Sequence, residues 1–296
     1  STTIAMIGPM GSRVARAEVP ITNASGLLQC SPANTDPGLT KPRYGALDVR
    51  SAHPNRINYV RLSPSDDIQA PALAWFAFHD LGARKALVID DAGNGRAIAD
   101  QFEKAAKAGG ATIVDREFTN DKAVDFKAIL TKLKAAKPDL VYYGGADSQA
   151  APMVKQMKAL GITAPLMSGE MVKTPTFLKI AGNAAEGTIA SLAGLPLEEM
   201  PGGKAYADKY KKRFGEDVQT YSPYAYDGAM AMLNAMKKAD STDPAKYLPV
   251  LAKTDMAGVT STHVAYDAKG DLKNGGITMY KVEKGDWKPL KSIGGK

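Results

Sequence analysis

Four apolar runs begin near residues 85, 111, 140 and 165, and each is followed by an amphipathic stretch. The starts lie 25–29 residues apart, the length of a strand and its returning helix. Repeated in series, such units build a parallel sheet with right-handed crossovers. Lys85–Asp90 (KALVID) is apolar without alternation, as a strand buried on both faces requires. The same reading predicts strands over Ala111–Phe118, Leu140–Gly145 (LVYYGG) and Pro165–Ser168. It predicts helices over Gly95–Gly109, Asp125–Ala136 and Ser148–Leu160. In the first, Ile98, Phe102, Ala105 and Ala106 share one side; in the second, Phe126, Ile129, Leu130 and Leu133 recur at helical spacing.

After Gly194 the texture changes. Long helices are predicted over Gly203–Phe214, Tyr224–Ala239 and Pro244–Thr254, then a β-rich tail over Val259–Leu290 with a turn at Gly285-Asp286. A length of 296 residues suits two domains. Hydrophobic residues at 44% and charged residues at 23% place the chain among ordinary globular proteins. No apolar run approaches the roughly 20 residues of a membrane span. The opening Ser-Thr-Thr has no basic and apolar leader, so the residues themselves do not speak of export.

The net charge of +7 comes from 38 basic and 31 acidic residues. Lysines alternate with Ala and Leu along stretches such as Asp125–Lys137, which is the pattern of a solvated helix face. A nucleic-acid stripe would cluster arginine with aromatics, and none does, so no nucleic-acid partner is expected. Cys30 is the single cysteine, which excludes an internal disulfide and a CxxC metal site. At the end of an apolar strand it reads as a buried, inert thiol.

Two glycine loops tempt a nucleotide reading. Asp91-Ala-Gly-Asn-Gly-Arg-Ala-Ile98 follows a strand and opens a helix, with Asp115 further on, as a dinucleotide fingerprint would. Its third small position is Ile98, where close helix–strand packing wants Gly or Ala. Gly182-Asn-Ala-Ala-Glu-Gly187-Thr188 has P-loop glycine spacing, but Thr188 stands where the phosphate-binding lysine belongs. His53, His79 and His263 have no His, Cys or Glu at ligand spacing, so no metal is expected. The acid pairs Asp66-Asp67 and Asp90-Asp91 sit at element ends and read as caps. No nucleophile–base–orienter trio is visible, and neither a catalytic residue nor a cofactor is expected.

Binding groups remain. Residues 30–42, Cys-Ser-Pro-Ala-Asn-Thr-Asp-Pro-Gly-Leu-Thr-Lys-Pro, leave an apolar strand for hydroxyls, an amide and three prolines. The carboxyl edge of a parallel sheet is where open α/β folds bind ligands. Prolines stiffen such a loop and would hold the Ser31 and Thr35 hydroxyls in place. An ordinary strand-to-helix turn with Asx and Ser/Thr caps is the competing reading. Gly11-Ser12 ends the strand Ile4–Gly8 and offers a hydroxyl and N–H groups at a helix start, a seat for a carboxylate. Glu170, in Leu166-Met-Ser-Gly-Glu-Met-Val172, follows a short strand and a glycine; a carboxylate there suits an ammonium, or is a solvated loop acid.

The segments "IGP…SPANTDPGLT", "VIDDAGNGRAIAD", "VYYGGADSQAAPMVKQMKALG", "APLMSGE", "AEGTIAS", "YSPYAYDGAMAM" and "YDAKGDLK" together resemble the solute-binding proteins of branched-chain amino-acid ABC transporters. The resemblance covers nearly all of the chain, in the family's order. It implies the type I periplasmic-binding fold: two α/β lobes, each a parallel sheet flanked by helices, joined by three crossing segments near Leu62–Ser65, Leu192–Leu195 and Gly270–Gly276. It places residues 1–63 and 194–271 in the first lobe and 64–193 and 272–296 in the second. It implies a non-enzymatic, exported receptor, periplasmic or on the cell surface, whose lobes close on an amino-acid-like ligand and deliver it to an ABC permease. A nucleotide-dependent oxidoreductase on the Asp91–Ile98 loop and a cytoplasmic ligand-sensing regulator of the same fold are the rival readings.

In that family "IAMIGPMGS" is the third strand, so the resemblance implies two further βα units before Ile4, about 60–70 residues. A shortened protein, a separate N-terminal fragment and a second copy completing the lobe are the expectations this leaves open. The positions matching Ser12, Ala33 and Thr35 hold the ligand's carboxylate and amine from the first lobe, and the one matching Glu170 contacts the amine from the second. Asn94 stands where an aromatic is common, Ala146 where the "YYGG" strand often adds a tyrosine, and Tyr221 keeps the aromatic side-chain contact. The two lost aromatics predict a larger or more polar ligand than leucine.

Overall fold

The structure, a computed structural model, describes residues 3–295 apart from Asn94 and Asp121. The chain divides into two compact units. Unit 1 is Ser1–Ser65, Ala193–Gly276 and Gly294–Lys296; unit 2 is Asp66–Leu192 and Ile277–Ile293.

Unit 1 begins with β1 (Ala5–Ile7), α1 (Ser12–Ser25), β2 (Leu28–Ser31), a short α2 (Ala46–Val49) and β3 (Tyr59–Arg61). Unit 2 continues with α3 (Asp66–Trp75), β4 (Lys85–Asp90), α4 (Arg96–Ala108), β5 (Thr112–Phe118), α5 (Lys127–Lys134), β6 (Leu140–Gly144), α6 (Asp147–Ala159), β7 (Leu166–Ser168), α7 (Pro175–Ala181) and β8 (Ile189–Ala193). The chain returns to unit 1 for α8 (Gly203–Phe214), α9 (Ser222–Ala239), α10 (Pro244–Leu251), β9 (Asp255–Met256) and β10 (Val264–Ala265). It ends in unit 2 with the hairpin β11 (Ile277–Glu283) and β12 (Asp286–Ile293).

Unit 2 is built on a 7-stranded sheet in the order β12-β11-β8-β7-β6-β4-β5. Strands β5, β4, β6, β7 and β8 are mutually parallel, as the βα rhythm predicts. Alternate residues of each strand face opposite sides, so both sides need apolar groups. Leu87, Ile89, Val141 and Tyr143 pack with Met153, Val154 and Met157 of α6 and Phe177 of α7. On the other side Tyr142 stacks on Phe102 of α4, with ring centroids 3.9 Å apart.

Two differences from the sequence reading have local causes. Helix α5 is shorter than Asp125–Ala136, because Asp125 Oδ1 and Gln156 Oε1 take the N–H groups of Lys127 and Phe126 as caps. The final hairpin turns at Lys284-Gly285, not Gly285-Asp286. Those two residues have φ of 56° and 77°, as a two-residue hairpin turn of the primed type demands.

Unit 1 holds a 3-stranded parallel sheet, β1-β2-β3, with β1 and β3 as its edges. Its core joins Leu28, Cys30, Val60 and Leu62 to Tyr224, Ala231 and Ala235 of α9 and Tyr247 of α10. Gly228 lets α9 press onto this sheet: a Cβ there would lie 2.7 Å from Cys30 Sγ. A second cluster packs Ala15 and Val19 of α1 on Leu39, Val49 and Tyr59. Among the described residues no helix is long and apolar enough to cross a membrane.

Candidate functional site

The carboxyl ends of adjacent strands gather the candidate residues, unit by unit. In unit 1 Ser12 follows β1, and Ala33 and Thr35 follow the neighbouring β2. Ser12 Oγ accepts the N–H groups of Thr35 at 3.2 Å and Asp36 at 3.3 Å. With both acceptor positions filled, its own proton points elsewhere, and the hydroxyl becomes a donor. Ser12 therefore offers a carboxylate an O–H at the positive end of α1.

Ser31 serves differently from the expectation. It is fully buried, donates to Pro9 O at 2.8 Å, and accepts from Ala33 N and Asn34 N at 3.2 and 3.0 Å. Its hydroxyl holds the loop and is spent there. With the Ala33 N–H engaged, the polar group Ala33 can offer a ligand is its carbonyl. The loop owes its shape to more than proline. Arg61, with no exposed surface, reaches Asp271 Oδ1 at 2.8 Å, Asn34 O at 3.3 Å, Asp36 O at 2.8 Å and Thr40 Oγ1 at 2.7 Å. Asn34 adds bonds to Met10 O and Tyr59 OH. Tyr221 precedes α9, caps its start through Ala225 N, and packs half-buried on the core of unit 1.

In unit 2 the loops after β4, β6 and β7 carry Asn94, Ala146 and Glu170, and the three strands are neighbours. Asn94 lies outside the described residues. Ala146 is the N-cap of α6 and is partly exposed. The next residue, Asp147, accepts from Thr174 Oγ1 at 2.6 Å, and Thr174 also caps α7 through Phe177 N. That pairing ties the Ala146 loop to the Glu170 loop. Glu170 opens a 3-10 turn, Glu170–Val172, after the extended Gly169. Its Oε2 accepts a hydrogen bond from Nε2 of Gln69, a fully buried residue on α3.

Sequence reasoning missed Gln69, the donor to Glu170, and Tyr142. Burial, then the charges of Asp66 and Glu170, push the Tyr142 hydroxyl well above the usual tyrosine range, with Arg116 opposing. What Glu170 offers there is a carboxylate, which accepts only and suits a cation.

The dinucleotide reading meets a specific obstacle. Asp91 Oδ1 accepts Gly93 N at 2.8 Å and Gly95 N at 3.0 Å. The amides a pyrophosphate would need are bound to a carboxylate, whose charge repels phosphate. Gly95 has another reason to be glycine: a Cβ there would lie 2.1 Å from the backbone of Gly144, so α4 is pressed against β6. Among the described residues no group of His, Cys, Asp and Glu could hold a metal ion.

Known proteins were compared with this arrangement. The family model described as periplasmic binding protein matches residues 3–286. A Leu/Ile/Val-binding protein homolog of Brucella abortus (strain 2308) is 28% identical over 284 residues, 95% of this chain and 72% of that protein. A leucine-binding protein of Thermotoga maritima superposes with a TM-score of 0.86 at 24% identity, covering 98% of this chain and 79% of that one. A solute-binding protein of R. palustris in complex with benzoate gives a TM-score of 0.76 at 18% identity, covering 97% and 76%. The two structural likenesses speak for the fold alone, whereas the family match spans nearly the whole sequence. On that match, this chain belongs to the periplasmic binding protein family.

Proposed function

We propose that this chain is an exported, non-enzymatic receptor that captures a small amino acid or amino-acid-like solute and passes it to an ABC permease. One observation carries the reading: the two units present opposite chemistries. Unit 1 offers a hydroxyl donor at a helix start, Ser12, beside the stitched loop of Ala33 and Thr35. Unit 2 offers a carboxylate, Glu170, held by the amide of Gln69. An α-amino acid has a carboxylate for the first and an ammonium for the second. Each charge-assisted bond contributes about 1.5–3 kcal/mol, so a ligand engaging both gains far more than one engaging either. Relatives named as Leu/Ile/Val-binding proteins or homologs of them support the head-group reading.

The side-chain choice is a separate matter. Ala146 leaves room where a tyrosine would fill it, Asn94 brings an amide, and Tyr221 keeps one aromatic face with a polar tip. If that amide is dry, a leucine side chain would leave it unpaired at a cost of about 1–3 kcal/mol. We infer a larger or more polar ligand than leucine. A thermal-shift screen of the twenty L-amino acids and a panel of aromatic acids tests both levels. Stabilisation by amine-bearing acids supports the receptor reading. Selective binding of leucine, isoleucine and valine would overturn the side-chain inference and leave the receptor standing. No stabilisation by any amino acid or aromatic acid would overturn both.

A further inference from the structure

Gln69 is an expensive residue where it stands. It has no exposed surface, and its Oε1 has no hydrogen-bond partner among the described residues. A buried carbonyl left unsatisfied works against stability, so its presence asks for another reason. The orientation of the amide is not arbitrary. A carboxylate can only accept, so the NH2 group must face Glu170, and Oε1 must face away from it. Gln69 Nε2 also packs on Gly169, where a Cβ would lie 3.5 Å away, an ordinary contact.

We propose that Gln69 is a positioning residue for the ammonium seat: its amide N–H holds the Glu170 carboxylate in one rotamer, aimed at the cationic group of an amino-acid ligand. This rests on the receptor reading given above. A glutamate side chain on a short turn has three rotatable bonds and loses affinity to the entropy of fixing them when a ligand arrives. A buried, pre-set donor removes that cost in advance. The unpartnered Oε1 follows from the arrangement, because an amide that presents its nitrogen to Glu170 has to turn its oxygen away.

The account separates positioning from structural support. Gln69→Met keeps the length of the side chain and removes both polar atoms. If Gln69 were merely structural, this variant would unfold more easily and weaken every ligand alike. If it positions Glu170, the unfolding midpoint stays where it was or rises, since an orphaned carbonyl has gone. Binding of the tightest of the twenty L-amino acids then weakens about tenfold by calorimetry. Binding of the same acid lacking its α-amino group changes less than twofold. In a Glu170→Ala background the Gln69→Met effect on the amino acid disappears, because nothing is left to aim. Should Gln69→Met fail to fold, Gln69→Asn, whose amide is too short to reach Glu170, replaces it in the same cycle.

An unchanged preference for the amine in both variants overturns the role of Gln69 and leaves the receptor reading intact. Equal weakening of the two acids also overturns it. If the unaltered protein binds the deaminated acid as tightly as the amino acid, Glu170 is no ammonium seat, and this inference falls with that assignment.

Discussion

The two units solve the same problem, a polar loop at the carboxyl edge of a parallel sheet, by different means. Unit 1 has three short strands and holds its loop with side-chain hydrogen bonds. Ser12, Ser31, Asn34 and the buried Arg61 together bind the backbone from Pro9 to Thr40. Unit 2 has seven strands and adds close backbone approach to a few side-chain bonds, such as those of Asp91 to Gly93 and Gly95 and of Thr174 to Asp147. Gly95 and Gly144 touch where any Cβ would collide, and a Cβ on Gly169 would crowd the tip of Ile98. A small sheet gives a loop little to lean on, so its shape has to be specified by polar bonds. A large sheet supplies the support through packing, and glycine supplies the access.

This contrast predicts different sensitivities. Arg61→Leu should have the largest effect. It leaves Asp271 nearly buried with only Thr40 and the more distant Lys41, 3.7 Å away, in place of its main partner. Removing one member of a buried pair typically costs about 3–5 kcal/mol, and urea unfolding should show it. A loss under 1 kcal/mol would mean that the loop of unit 1 is held by something other than this network.

Gly95→Ala comes next. Its Cβ would meet backbone atoms, which cannot rotate aside, so α4 must shift from β6. About 1–3 kcal/mol of destabilisation is expected, with weaker ligand binding because the Glu170 side of the sheet edge moves too. Unaltered stability and affinity would show that close approach at Gly95 does not organise unit 2.

A smaller effect lies at the opposite edge of the same sheet. Asp139 accepts the N–H groups of Arg84 at 2.8 Å and Lys85 at 2.9 Å, and these bonds hold its carboxyl below the usual range. The folded state favours the ionised form. Its contribution is therefore complete above the unfolded pKa, about 4, and is lost as pH falls through the lower folded value. Asp139→Asn should flatten the acid side of the stability profile below about pH 4 and leave neutral-pH ligand affinity unchanged. An unaltered acid limb would contradict the assignment.

The same contrast explains what could be read from the sequence. The strands and helices of unit 2 from Lys85 onward declare themselves by apolar runs at βα spacing, and Lys85–Asp90 is a strand to the residue. Helix α3 does not. It buries Asp66 and Gln69 while Ile68 and Trp75 are 43% and 45% exposed, which inverts the usual amphipathic pattern. Gln69 was hidden for that reason. Strands β1, β2 and β3 have only 3, 4 and 3 residues, too few for periodicity to show. Ser31 and Ser12 look alike in the sequence. Only the hydrogen bonds distinguish the hydroxyl spent on the loop from the one turned outward as a donor. The placement of Ser12, Ala33, Thr35 and Glu170 after strands was legible. What orients them comes from residues far along the chain, such as Asp271 for Arg61.

The central claim is that the two units bind opposite ends of an amino-acid head group, and a crossed calorimetric titration tests it most directly. The tightest L-amino acid of the screen is titrated with its two truncated analogues, one lacking the amine and one lacking the carboxylate, into the unaltered protein, Ser12→Ala and Glu170→Ala. Glu170→Ala should weaken the amino acid about ten- to hundredfold and the carboxylate-free amine likewise, while sparing the deaminated acid. Ser12→Ala should weaken the deaminated acid and spare the amine. If both variants weaken both analogues equally, or neither variant weakens any of the three, the division of the head group between the two units is contradicted.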